Sequence, residues 1–178
     1  MTTSDAFRIR EATPADAGLV LSFIRQLAEY EKLSHEVVAD EATLHEALFG
    51  PRANAEALIG ELIEGGAATP ADARRTARPV AFAVFFHNFS TFLGRRGLYL
   101  EDLFVLPQHR GAGYGRRMLA HLAALAVARG CPRFEWAVLD WNAPAIGFYD
   151  ALGARPNADW TIYRLSGAQL ARLAQEAG

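Results

Sequence analysis

Between Leu98 and Ala126 an apolar strand pattern, a glycine-rich turn and an apolar helix pattern follow one another without a gap: LYLEDLFVLPQHRGAGYGRRMLAHLAALA. The strand ends at Pro107, and Arg110 leads the alternate glycines Gly111, Gly113 and Gly115. This order forces a strand into a tight turn that delivers a helix N-terminus. Such an end offers unpaired backbone N–H groups and a partial positive charge, which suit a phosphate. The feature therefore predicts an α/β chain that binds a phosphorylated ligand.

Rival readings of the glycines fail on spacing. A triphosphate loop needs Lys-Ser/Thr behind its last glycine, and the sequence has neither there. A dinucleotide fingerprint runs G-x-G-x-x-G on a first strand, whereas these glycines run G-x-G-x-G in mid-chain. A glycine turn without a ligand is the poorer alternative, because three glycines in five residues stand behind Gln108, His109 and Arg110.

A chain of 178 residues suffices for one domain over 1–178 with a core of its own. Its net charge of -2 lacks the basic excess of a nucleic-acid binder, so no nucleic-acid partner is expected. No apolar run reaches the ~18 residues of a membrane span, and MTTSDAFRIRE lacks the layout of a secretory leader. The single cysteine, Cys131, allows no internal disulfide, and the chain reads as cytoplasmic. Between Gly130 and Pro132, Cys131 reads as a small buried side chain rather than a nucleophile. The histidines (His35, His45, His87, His109, His121) show no ligand spacing with Cys or acids, so no metal is expected. His87 is the one expected near a site, and His121 is expected on a helix surface.

Alternation of Phe7 and Ile9 with Arg8 and Arg10 predicts a strand at 7–11. Thr13-Pro14-Ala15-Asp16 is a helix start, and Leu19, Val20, Phe23, Ile24 and Leu27 carry the helix to about Glu31. A second helix spans 40–48, capped by Asp40 and stopped at Gly50-Pro51. Strands follow at 55–63, 79–89 and 98–106, with an exposed loop at 64–78. A helix at 114–129, a strand at 133–139, a helix from Asn142 to Leu152 closed by Gly153, a strand at 160–165 and a helix at 167–175 complete the chain. The fold class is α/β: a mixed central sheet flanked by helices, antiparallel at 79–106 and parallel across the helix at 114–129.

Gln108-x-x-Gly111-x-Gly113 between strand and helix resembles the acyl-CoA loop of the GNAT N-acetyltransferase superfamily. The order of elements fits that fold over nearly the whole chain. LAEYEKL (27–33), LYLEDLFV (98–105), RGAGYG (110–115), DWNAPAIGFYDALGA (140–154) and Trp160 are similar to the diamine acetyltransferase subgroup, which acts on spermidine, spermine or thialysine. The loop at 64–78 is longer than is usual in that group.

The resemblance implies acetyl-CoA as cofactor, a small-molecule amine as substrate and a homodimer. Leu103, Phe104 and Val105 would align the acyl arm by strand-like hydrogen bonds, with one N–H polarising the thioester carbonyl. Gly111, Ala112, Gly113, Tyr114, Gly115 and Arg116 would hold the pyrophosphate, with Arg110 and Arg116 adding charge. Asn142, Ala143, Pro144 and Ala145 would flank the cofactor, and Tyr149 would be the proton donor. Tyr30, Glu31, Glu101, Asp102, Glu135, Trp136, Ala137 and Trp160 would line the amine's channel.

The residues support parts of this independently. Asn142 and Tyr149 lie two helical turns apart on one face; a core aromatic beside Phe148 is the lesser alternative for Tyr149 on spacing, and the WNxPxIxFY match favours the catalytic reading. A phenol near pKa ~10 can protonate a thiolate whose conjugate acid lies near ~8.5, uphill by about 2 kcal/mol. Glu29, Glu31, Glu101, Asp102 and Asp140 supply acid for a cation, and Tyr30 and Trp160 offer aromatic faces. Adjacent Glu101 and Asp102 point to opposite faces of a regular strand, which gives Asp102 the apolar face of Leu98, Leu100, Phe104 and Leu106. Either a β-bulge redirects one of them, or Asp102 is structural. Glu101 is the preferred partner of the amine, as direct base or through water. Free alkylamines titrate near ~10.4, and a carboxylate that binds the cation raises that value further, so some group must still accept the proton.

The expected reaction is direct transfer in a ternary complex, with no cysteine acyl-enzyme. Acetylation of a protein lysine or N-terminus, or an acyl-CoA sensor without turnover, are the alternatives.

Overall fold

Phe7 and Ile9 alternate with arginines in β1 (Ala6–Glu11) of the computed structural model, which describes residues 6–63 and 77–177. The chain divides into two compact units, Met1–Ala137 and Val138–Gly178.

In the first unit, Thr13 and Asp16 form a capping box around a 3-10 turn (Pro14–Asp16), and α1 (Ala17–Tyr30) follows. Asp40 accepts from the Thr43 N–H at 2.8 Å and opens α2 (Glu41–Phe49). The sheet is built from β1, β2 (Glu56–Ile63), β3 (Ala77–Ser90), β4 (Arg95–Val105) and β5 (Phe134–Trp136), in that spatial order. The first four strands pair antiparallel, and β5 joins β4 in parallel after α3 (Tyr114–Ala128). Part of the expected loop, residues 77 and 78, is the start of β3; positions 64–76 lie outside the described residues.

Strand parity assigns the faces. Ile59, Phe82 and Phe104 bury against Val20 and Phe23 of α1 and Leu48 of α2. The opposite face carries α3: a Cβ on Gly115 would lie 3.8 Å from Val105, and Arg129 at the end of α3 lies over the Phe85 ring. Leu58, Leu98, Leu100, Met118 and Leu122 are fully buried among the side chains of the unit.

The second unit holds α4 (Ala143–Ala151) and α5 (Gly167–Ala174). The strand expected at 160–165 does not form; that stretch is irregular, and Ile162 and Tyr163 are exposed. The strand expected at 133–139 is confined to Phe134–Trp136.

Candidate active site

The β3–β4 ladder breaks beside the two acids. Val84 pairs with Asp102, but its neighbour Phe85 pairs with Leu100, which leaves Glu101 as an extra residue without an opposite. A bulge of this kind lets both residues face the same side. It also reverses the parity of the strand. Leu98 and Leu100 point to the α3 face with Phe85, while Asp102 and Phe104 share the α1 face with Val84 and Phe82. The apolar face that a regular strand assigns to Asp102 is therefore split, and Asp102 is half-buried near the end of α1.

Helix α1 ends in a turn where Lys32 takes a left-handed φ of 62° and the Leu33 N–H reaches Ala28 O at 2.8 Å. That turn sets Tyr30 and Glu31 over β4. Burial raises the Glu31 carboxyl. Burial, with the charges of Glu101 and Glu31, lifts Asp102 to about 6. Three carboxylates in one electrostatic neighbourhood form a place for a cation. Glu135 pairs with Tyr99 on this face, but Asn88 Nδ2 donates to its Oε2 at 2.8 Å and Arg133 Nε lies 2.9 Å from the same oxygen. Its charge is thus balanced inside the sheet. Trp136 pairs with Leu100, on the α3 face, and stands edge-on to Phe134. Ala137 follows the end of β5 and is exposed.

His87 is placed differently from the sequence expectation. It pairs with Leu98 on the α3 face, beside the Arg129–Glu56 ion pair, where burial and then Arg129 and Arg96 lower its pKa. It is not among the acids that surround Asp102.

Past Leu100 the ladder with β5 stops. The Leu106 N–H donates to Val80 O of β3 at 2.9 Å. Because the N–H and C=O of one trans peptide point opposite ways, Val105 O points away from β3. By the two-residue period, the N–H and C=O of Leu103 and Val105 both face the edge that β5 does not cover. Phe104, between them, belongs to the core. The edge leads into the glycine turn. Gly111 and Gly113 have φ of 81° and 80°, which only glycine takes at little cost, and a Cβ on either would meet open space. Gly113 is the N-cap of α3, so the N–H groups of Tyr114, Gly115 and Arg116 are the helix's unpaired donors. Ala112 and Arg116 are exposed. An edge that accepts an extended arm, ending on a cradle of N–H groups, fits a pantetheine-linked diphosphate.

Arg110 behaves in a way the sequence did not signal. Its Nε donates to Val105 O at 3.0 Å, and its guanidinium lies 4.5 Å from the centre of the Tyr30 ring and 5.2 Å from that of Phe104. Arg117 is committed elsewhere, to Phe7 O at 2.8 Å and the Phe7 ring.

In the second unit Asn142 caps α4, its Oδ1 accepting from the Ala145 N–H at 3.4 Å, with Ala143 and Pro144 in the first turn. Tyr149 lies two turns on, and its ring is 5.4 Å from that of Phe148. Trp160 lies outside any strand and is 68% exposed. Asp140 is exposed just ahead of the cap. Among the described residues no group of His, Cys, Asp and Glu could hold a metal ion, and no helix is long and apolar enough to cross a membrane.

The model of the acetyltransferase (GNAT) family matches residues 29–154. The chain is 37% identical over 170 residues to a thialysine N-epsilon-acetyltransferase of Mus musculus, covering 94% of this chain and 96% of that protein. It is 32% identical to an L-ornithine N5-acetyltransferase of Arabidopsis thaliana, covering 92% and 86%. Among solved structures, an integron cassette protein of V. cholerae superposes with a TM-score of 0.73 at 23% identity, covering 95% of this chain and 98% of that one. A ribosomal-protein-alanine N-acetyltransferase of Brucella melitensis superposes at 0.64 and 18% identity, covering 91% and 100%. These two share the fold.

Proposed function

The chain belongs to the acetyltransferase (GNAT) family and is an N-acetyltransferase, and from that premise we propose that it moves an acetyl group from acetyl-CoA to a small primary amine such as a polyamine or a thialysine-like amino acid. The observation that carries this reading is on β4: a strand edge that β5 does not cover, leading to a glycine cradle, with Glu31, Glu101 and Asp102 beside it.

Bound acetyl-CoA supplies the activated acetyl group. The acids hold the ammonium group, and Asp102 accepts its proton, directly or through water. A carboxyl near 6 is a better acceptor at neutral pH than one near 4. Glu101, preferred from the sequence for the amine, then holds the cation. An N–H of the Leu103–Val105 edge donates to the oxygen that gains charge. Tyr149 donates a proton to the departing sulfur. Asn142, Ala143, Pro144 and Ala145 flank the cofactor, and Trp160 contributes to the amine's surroundings. The chain works as one cytoplasmic domain and as a homodimer, which sedimentation checks as a mass twice that of the chain.

The test is free-thiol release from acetyl-CoA against putrescine, spermidine, spermine, thialysine, ornithine, lysine and a lysine peptide, repeated with Tyr149→Phe. Turnover of a small amine, falling at least about a hundredfold in the variant, supports the reading. Unchanged turnover in Tyr149→Phe removes Tyr149 from the chemistry. Silence with every amine, alongside tight CoA binding, favours a sensor. Turnover of the peptide alone favours a protein substrate.

A further inference from the structure

Arg110 connects three parts of the site. Its Nε donates to Val105 O at 3.0 Å, on the edge where a strand partner's N–H would donate. Its guanidinium lies over Tyr30, at the end of α1, and over Phe104. Its backbone leads the glycine turn, one residue before Gly111. An arm laid along the β4 edge needs the same carbonyl, so arm and guanidinium compete for it there. A phosphate group at the turn gives the guanidinium a charge-assisted, bidentate alternative stronger than a neutral carbonyl. A thioester without phosphate offers no such exchange.

We propose that Arg110 determines thioester specificity by holding the β4 edge and the Tyr30 ring until a phosphate draws it away. The proposal rests on the reading that the thioester's arm lies along β4. Pantetheine thioesters are discriminated against by the arginine itself, because they must displace it with no compensating contact. The same movement takes the guanidinium off the Tyr30 ring, which ties the surroundings of the amine to the phosphate-bearing partner.

Arg110→Met keeps length and an apolar stem against Tyr30 while removing the donor and the charge. Binding of coenzyme A by calorimetry and of S-acetylpantetheine by ligand-observed NMR, without any amine, reads the two effects separately from turnover. The variant is expected to bind coenzyme A about tenfold more weakly and S-acetylpantetheine about fivefold more tightly than the parent. Arg110→Gln, which removes the charge but keeps donors, is expected to show the same opposed changes at smaller size. Weakening of both ligands together, or an unchanged affinity for S-acetylpantetheine in both variants, overturns the role of Arg110 alone. Failure of the parent to bind coenzyme A overturns the reading on which it rests as well.

Discussion

Asp16 accepts four hydrogen bonds, from Nη1 and Nη2 of Arg10 and from the N–H and hydroxyl of Thr13. The Arg10 bonds act first, then those of Thr13, and against the opposing effect of burial they lower its carboxyl from 3.8 to about 2. Burial first, and then the like charges of Glu101 and Glu31, raise Asp102 from 3.8 to about 6. The lowered group stabilises the fold fully above pH ~4, and that contribution is lost as pH falls through 2. The raised group costs nothing below pH ~4, and its cost is complete once pH has risen past 6. Asp102→Asn is therefore expected to gain up to about 3 kcal/mol of stability at pH 7 in denaturant unfolding and none at pH 4. The same substitution should lower kcat at least about a hundredfold and abolish a limb near pH 6 in the kcat/KM profile, as loss of a general base does. If Glu101→Gln instead abolishes that limb, Glu101 is the base. Asp16→Asn is expected to lose about 2 kcal/mol at pH 7, a loss that shrinks as pH falls toward 2, with no change in kcat.

The bulge at Glu101 was visible in the sequence as a conflict, since the Asp102 parity also held Leu98 and Leu100. Its resolution was not visible, because register depends on the partner strand, and nothing in LYLEDLFV states that Phe85 will face Leu100. The glycine turn was legible because left-handed backbone leaves its mark in residue type. The Arg110 stack was not, since a surface arginine has many rotamers and the chosen one depends on Tyr30, far away in sequence. Close approach gives a further prediction for the sheet. A Cβ at Gly60 of β2 would come within 2.6 Å of the Phe7 ring, and Phe7 stacks on Tyr114, the first residue of α3, at 4.4 Å. Gly60→Ala is expected to cost about 1–3 kcal/mol in thermal or urea unfolding, the usual penalty of overpacking. It should also weaken coenzyme A binding, because the strain is passed to the end of the helix that carries the cradle. A Phe7→Leu background, which removes the ring, should relieve most of both effects.

The order of the first unit's elements could be read from periodicity, since each turns one apolar face to a shared core, whichever distant element it packs on. The end of the chain could not: Trp160 to Leu165 has strand-like residues, yet forms no ladder among the described residues. Net charge was also a poor guide to the site, because a chain of -2 places two opposed local fields along one strand. Glu31, Glu101 and Asp102 favour a cation on one side, while Arg110, Arg116 and the N-terminus of α3 favour an anion at its end. Both fields act on exposed or half-buried groups and are screened over about 10 Å at 0.1 M salt. Raising the salt from about 0.05 to 0.5 M should therefore raise KM for a dicationic amine and for acetyl-CoA severalfold each, and raise KM for a monoamine of equal length less. Proton transfer and acyl transfer occur between groups already in contact, where screening is weak, so kcat should change less than twofold. Steady-state kinetics with putrescine and butylamine across that range checks both statements. A fall in kcat at constant KM would place the salt-sensitive charges in the chemical step rather than in binding.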